Sequence, residues 1–437
     1  LFRSEVLEFI EENDVKFIKL AFCDIFGNQK NITIMPTELK RAFYEGVSFD
    51  ASAVTGFMKV EESDLLLFPE ANTMYLLPWR PQHGRVVRFF CNIKHPDGRD
   101  FEGDCRNILK EVIKDSKQKG FTCKIGCESE FYLFEQDEFG NPTMIPYDKG
   151  TYCDIYPNDR CENIRRDICL SLEEMGIKAT SSHHEQGPGQ NEIDYEYSNA
   201  LSAADNLISF KSLVKTKASE NGLFASFMPR PLETECGSGL HINISLYKDN
   251  KNIFEDKNDK QYKYAESFIS GILNRIEEIT LFLNSSTNSY KRLGKDKAPK
   301  YITWSKENRS QLIRIPASKG DRCRMELRSP DSSCNPYIAF ALLIKAGIEG
   351  IEKNLQLCNP HNINLFNAND NEVKNLKTLS DNLNEAINNA LNSEFIKTVL
   401  PQKTINNYID DKKQEWDIYN SITDKFKAEK ELYFEKF

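Results

Sequence analysis

CESEFYLF, residues Cys127 to Phe134, alternates ionic with apolar side chains. In an extended strand successive side chains point to opposite faces, so Glu128 and Glu130 share one face while Phe131 and Leu133 share the other. Two distant segments repeat the arrangement. In SGLHINISL (Ser238 to Leu246), His241, Asn243 and Ser245 oppose Leu240, Ile242 and Ile244. In RMELRS (Arg324 to Ser329), Arg324, Glu326 and Arg328 oppose Met325 and Leu327. Three strands, apolar behind and ionic in front, predict one sheet whose concave face holds a polyanion and the cations that neutralise it.

The remaining sequence frames that sheet. A chain of 437 residues, 40% hydrophobic and 28% charged, has ordinary globular composition and room for two domains. A net charge of −9 argues against a nucleic-acid surface, which needs a basic stripe. No apolar run approaches the roughly 18 to 20 residues that span a bilayer, so no membrane is expected. The start, LFRSEVLEFIEEN, reads as an acidic amphipathic helix, not a secretory leader, and its lack of Met suggests trimming. Twelve scattered cysteines with no CxxC pair are expected to be free buried thiols in a reducing cytoplasm. Cys123 and Cys127 lie on one strand pattern, too far apart to bridge.

Along the chain the pattern predicts a helix (Ser4 to Asn13), strands (Lys16 to Cys23, Gln29 to Met35), a short helix (Pro36 to Tyr44) and strands (Met74 to Pro78, Val86 to Ile93). The turn-rich HPDGRDFEGDCR marks a boundary, dividing residues 1–100 from residues 101–437. A helix capped by Asp104 and stopped by Gly120 follows. Further helices are expected at Asp159 to Met175, Ala200 to Asn221, Tyr264 to Leu283 and Pro336 to Lys353, the last buried. Strands and helices mix without a βαβ rhythm, which predicts an α+β fold with a curved antiparallel sheet flanked by helices. There is no internal repeat, and the Asn- and Lys-rich stretch after Glu352 reads as surface helices and loops.

Glu128, Glu130, Glu185, Glu192, His241 and Glu326 form a candidate set of hard-cation ligands. Oxygen donors with one imidazole suit Mg²⁺ or Mn²⁺, whereas a closed zinc site favours thiolates. So many acids would repel one another without cations among them, so two metals per site are expected. Glu185 and Glu192 flank a GPG turn in SHHEQGPGQNEIDY. Of the adjacent His183 and His184, at most one can face the site, and His184 is a candidate support for Glu185. Arg292, Arg309, Arg314, Arg324 and Arg328 lie within 37 residues and form a candidate anion-binding set. Metals with arginines are the equipment of phosphoryl transfer. No Walker loop occurs, and the GSG at Gly237 to Gly239 is no dinucleotide fingerprint.

These residues resemble the class I, bacterial-type glutamine synthetases over nearly the whole chain. The matching stretches are FDASAVTGF with EESD, the ExE strand, HHEQGPGQNEID, GSGLHINISL, NSYKRL, NRSQLIRIP and RMELRSPD. The resemblance implies an N-terminal β-grasp-like domain and a catalytic domain, assembled as a homododecamer of two stacked hexamers with active sites between subunits. It implies ligation of ammonia to the γ-carboxylate of L-glutamate through γ-glutamyl phosphate, with ATP as co-substrate. Glu130, Glu185 and Glu192 match ligands of one metal, and Glu128, His241 and Glu326 ligands of the metal on the ATP phosphates. Arg292, Arg328 and Gly237 match glutamate-binding positions. Arg309 and Arg314 match positions that stabilise the transferred phosphate. Asn243, Ser245, Arg314 and Arg324 match the ATP side. Asp50, from a neighbouring subunit, matches the acid that binds ammonium, and Asp64 is kept.

Three departures from that family stand out. The flap, RLGKDKAPKY, is one residue shorter and has Lys297 where the family carries a glutamate, with Asp296 beside it. Cys236 replaces an asparagine of the substrate loop, and Thr180 a glutamate near the nucleotide. Phe366 in INLF stands where adenylylated relatives have tyrosine, so that modification is not expected. The length and the tail EWDIYNSITDKFKAEKELYFEKF resemble the shorter, feedback-inhibited type, although Lys59 replaces an arginine of that control. A transcription regulator is a further partner the resemblance implies. The departures leave two alternatives: ligation of glutamate to an organic amine, and a non-catalytic regulatory ring.

Overall fold

Alternate burial makes CESEFYLF part of a long strand, Phe121–Gln136, in which odd-numbered residues from Phe121 to Phe131 are buried and the intervening ones exposed or half-exposed. The computed structural model describes residues 2–80, 83–255 and 260–437. SGLHINISL contributes Leu240–Lys248 and RMELRS the short strand Met325–Leu327, so that Arg324 and Arg328 flank the last strand. The three are neighbours. The order in this sheet is Trp304–Lys306, Ile313–Ile315, Met325–Leu327, Leu240–Lys248, Phe121–Gln136, Gln190–Tyr195, Ala179–His184. Every pair is antiparallel except Trp304–Lys306 with Ile313–Ile315, which is parallel.

The N-terminal sheet runs Gln29–Ile34, Val15–Cys23, Arg85–Lys94, Asp64–Pro69, Val47–Asp50, with Val15–Cys23 and Arg85–Lys94 parallel at its centre. Two of these strands, Val47–Asp50 and Asp64–Pro69, were not predicted. DLLLFP lacks clean polar alternation because its half-buried Leu66 and Phe68 are also apolar. The strand expected over Met74 to Pro78 is only Tyr75–Leu76, and the short helix begins as a 3₁₀ turn at Pro36–Glu38 before Leu39–Glu45.

Helices cover the apolar face of the larger sheet. Asp104 caps Cys105–Gln118 by accepting from the Arg106 and Asn107 amides. Pro336–Glu352, apolar on nearly every side, is buried along its length. It packs closely on Tyr262–Leu283 because a Cβ at Gly271 would stand 2.2 Å from the Ala346 carbonyl. Asn335 caps Pro336–Glu352 and donates to the Ile25 carbonyl of the N-terminal unit at 3.1 Å. Arg106 forks onto Asp205 with two 2.9 Å bonds and also binds Glu70, which ties the two sheets' surroundings together. None of the twelve cysteines is paired. No helix among the described residues is long and apolar enough to cross a membrane.

Candidate active site

Strand register stacks the ionic residues into rows. Glu130 lies opposite Glu192, which lies opposite His183. One step along, His241 is opposite Glu128, which is opposite Asp194. A third row runs Asn243, Glu326, Arg314. Directly paired side chains stand within reach of a shared ion. The first two rows floor a cavity of about 270 Å³, walled by Glu185, Gly237, Arg292, Arg309, Arg324 and Arg328 and by Arg314 of the third row, whose Glu326 lies buried beneath it. Sequence reasoning thus brought distant residues to one place.

Two groups of ligand atoms lie within 4.8 Å of one another on this floor. One is Glu128, His241 and Glu326; the other is His183, Glu185 and Glu192. In the second, His183 stands with the two glutamates, and Glu130, the third acid of the expected set, lines the same cavity beside them. Glu130 Oε2 is taken by the Gly239 amide at 2.7 Å and the Gln190 side chain at 3.3 Å, while His183 Nε2 lies 3.0 Å from Glu185 Oε1. His184 faces the other way and is fully buried, as alternation requires.

The charge balance fits divalent ions. Burial acts against the Glu128 carboxylate, but His241, Asn243 and Arg324 outweigh it and hold its pKa down at about 2. Glu192 has no such partner: burial, then Glu130, Asp194, Glu128 and Glu185, push it up to about 11. Burial likewise raises Glu130 and Asp194. Acids that hold one another protonated are the donor set that a hard dication displaces protons from. Glu326, 1% exposed, carries guanidinium groups on both oxygens, Arg328 on Oε1 and Arg314 on Oε2.

The glycines of GSG have a steric role. Arg292 is buried and donates to the Ser329 carbonyl at 2.8 Å and the Arg328 carbonyl at 3.2 Å. A Cβ on Gly239 would sit 2.4 Å from its Nη2, and one on Gly237 2.6 Å from the Pro229 carbonyl. A second cavity, of about 390 Å³, shares Glu128, Asp194 and Arg324 with the first. Asn243, Ser245 and Thr180 line it, Arg324 Nε donates to Asn243 Oδ1 at 2.7 Å, and the Ser245 hydroxyl is spent on the Cys323 carbonyl.

Asp50 is exposed on an edge strand, accepts from Ser52, and lies outside its own chain's cavity. Lys297 lines the cavity with its ammonium 5.2 Å from the Tyr152 ring centroid. Asp296, the acid beside Lys297 in the flap, is held by Arg230 at 2.9 Å. Burial and then Asp296 push the Cys236 thiol up to about 11, so it stays protonated near neutrality. Sequence reasoning missed Asp194, Gln190 and the inward turn of His183. Each lies two residues from an identified glutamate, so the same alternation would have found them. Tyr152, on a loop, carried no such signal.

Two family models cover most of the chain: the glutamine synthetase beta-grasp domain over residues 14–96 and the glutamine synthetase catalytic domain over residues 102–431. The chain belongs to the glutamine synthetase family. It is 45% identical to a glutamine synthetase of Clostridium saccharobutylicum over 96% of both chains. It is 44% identical to that of Methanosarcina mazei, over 96% of this chain and 95% of the relative. Identity to that of Staphylococcus aureus is 40%, over 100% of this chain and 98% of the relative. Among solved structures, a GmaS/ADP complex superposes with a TM-score of 0.87 at 27% identity, covering 98% of this chain and 99% of the other. The cryo-EM structure of Plasmodium falciparum glutamine synthetase gives 0.85 at 27% identity, covering 96% and 97%.

Proposed function

We propose that this chain joins ammonia to the γ-carboxylate of L-glutamate at the expense of ATP, giving L-glutamine, ADP and phosphate. One observation carries the reading: two groups of dication ligands and five arginines meet at one cavity in a chain of this family. Mg²⁺ or Mn²⁺, two or more per site, would be held by Glu128, His241 and Glu326 and by Glu185, Glu192 and His183, with Glu130 beside them. Bound there, the ions would supply charge compensation between carboxylate and phosphate.

The chain's own groups do the rest. Gly237, Arg292 and Arg328 receive glutamate; Asn243, Ser245 and Arg324 receive ATP at the neighbouring cavity, with Arg314 reaching it from the first. A γ-carboxylate oxygen attacks the terminal phosphorus and the bond to ADP breaks. Arg309 and Arg314 face the charge that spreads over the transferred phosphoryl group. Ammonia then adds to the acyl carbon, phosphate leaves with the bonding electrons, and the proton that nitrogen sheds goes to the departing phosphate. Ammonium must first lose a proton, a task for Asp50 of a neighbouring subunit. That role requires an oligomer, proposed as a dodecamer of two stacked hexamers; a cytoplasmic location and a transcription-regulator partner complete the proposal.

Lys297, beside Tyr152 in the place of the flap glutamate, favours a second reading, ligation of an organic amine, because the acid that would attract ammonium and take its proton is replaced by a cation. Steady-state phosphate release with Mg²⁺, ATP and glutamate separates the readings. Ammonium is expected to outperform methylamine, ethanolamine and polyamines. A preference for an organic amine would favour the second, and no release with any amine would leave a non-catalytic ring.

A further inference from the structure

A buried cluster lies directly behind the ligand rows. His184 is fully buried, and both ring nitrogens are engaged: Nε2 lies 2.9 Å from Asp148 Oδ1 and Nδ1 lies 2.6 Å from the carbonyl oxygen of Glu185. Both partners are acceptors, so the ring donates to each. Asp148 is 5% exposed and serves as a hub. Its Oδ1 also accepts from the amides of Gly189 at 2.8 Å and Gly150 at 3.2 Å. Its Oδ2 accepts from the Arg160 amide at 3.0 Å and the Cys161 thiol at 3.2 Å.

Those donors belong to stretches that shape the cavity from behind. Gly189 closes the turn between Glu185 and Gln190, and Gly150 precedes Tyr152; Glu185, Gln190 and Tyr152 all line the cavity. Gly150 lies close against the ring: a Cβ there would stand 2.7 Å from His184 Nε2. Asp148, Asp159 and His184 offer ligand atoms within 4.8 Å of one another, yet the cluster is already neutralised. Arg165 binds both oxygens of Asp159, at 3.1 and 2.5 Å, and reaches Asn191 at 2.6 Å. It is a scaffold filled by its own hydrogen bonds.

Glu185 needs such a scaffold. It follows the last residue of the strand Ala179–His184 and begins a turn, so only one main-chain bond from the neighbouring strand still holds it. Its amide donates to the Gln190 carbonyl at 2.8 Å, and its carbonyl is fixed by His184. We propose that Asp148 and His184 form a positioning pair that sets Glu185 for its divalent ion through the main chain of the turn. The proposal rests on the divalent-ion reading of the cavity. Groups that orient metal ligands from behind typically change metal affinity by about 10–100-fold when altered.

The test is a titration of the assembled protein with Mn²⁺ alone, reading free Mn²⁺ by electron paramagnetic resonance. Wild type is expected to show two classes of site. Asp148→Asn and His184→Gln are expected to weaken one class by about 10–100-fold and leave the other, built from Glu128, His241 and Glu326, unchanged. Turnover is expected to recover at saturating Mn²⁺. Gly150→Ala keeps every polar partner and only crowds the ring, so it covers the case in which the other variants fail to fold. It is expected to weaken the same class by a smaller factor. Unchanged affinities in these variants, or equal weakening of both classes, would overturn the positioning role alone. Absence of Mn²⁺ binding in wild type would overturn the divalent-ion reading and this proposal with it.

Discussion

The floor and the rim of the cavity are built differently. On the floor, pairing register fixes each ligand against its neighbours: Glu192 opposite Glu130, His241 opposite Glu128, Arg314 opposite Glu326. At the rim, loops carry Cys236, Asp296 and Lys297, held by single contacts such as the Arg230–Asp296 pair and the Lys297–Tyr152 approach. A slip of one residue on the floor would turn every ligand to the wrong face, whereas the rim can exchange side chains without disturbing the sheet. The departures from family pattern at Cys236 and Lys297 sit on the rim, while the metal-ligand candidates sit on or beside the floor. On the proposed reading, phosphoryl chemistry belongs to the floor and the choice of amine to the rim.

The strongest challenge to that division is Glu326→Ala. It removes a floor carboxylate and leaves Arg314 and Arg328 without their shared partner, so phosphate release is expected to vanish, a loss above about 10³-fold. Retained phosphate release with the protein still folded by circular dichroism would break the comparison. Gly239→Ala tests the seam between floor and rim. Its Cβ would displace the Arg292 guanidinium, and the KM for glutamate is expected to rise by about tenfold to a hundredfold while the KM for ATP stays put. Lys297→Glu is a rim change, expected to leave phosphoryl transfer intact and raise the ammonium-dependent rate several-fold, as measured by kcat/KM for ammonium. An unchanged rate would show that the rim cation does not govern the nucleophile.

The smallest effect concerns stability. Glu192 is held up at about 11 by burial and by Glu130, Asp194, Glu128 and Glu185, so the metal-free fold keeps a proton that the unfolded chain releases above its ordinary value near 4.5. With more protons bound when folded, stability falls as pH rises through that window. The melting temperature of metal-free protein is expected to drop by a few degrees between about pH 6 and pH 9, and Mg²⁺ to flatten the slope. Equal slopes with and without Mg²⁺ would contradict the assignment of the floor acids as a dication site.

The same contrast explains what the sequence made legible. Period-two alternation announced Glu128, Glu130, His241 and Glu326 because each strand has one dry and one wet face. It also underlay the exclusion of one of His183 and His184 from the cavity. It did not say that Gly239 and Gln190 would engage Glu130, since those contacts depend on which strands become neighbours. Strands such as Asp64–Pro69, apolar on both faces, left no alternation to read. Tyr152 and the Arg230–Asp296 pair lie on loops whose path is set by tertiary contacts such as the Asp148 hub.

The most direct test of the account is phosphate release by the assembled protein given ATP, glutamate and Mg²⁺, with ammonium or an organic amine as the last component. The account predicts rapid release with ammonium, matched mole for mole by glutamine, and none without a divalent ion. Faster release with an organic amine, or release that ignores the divalent ion, would contradict it.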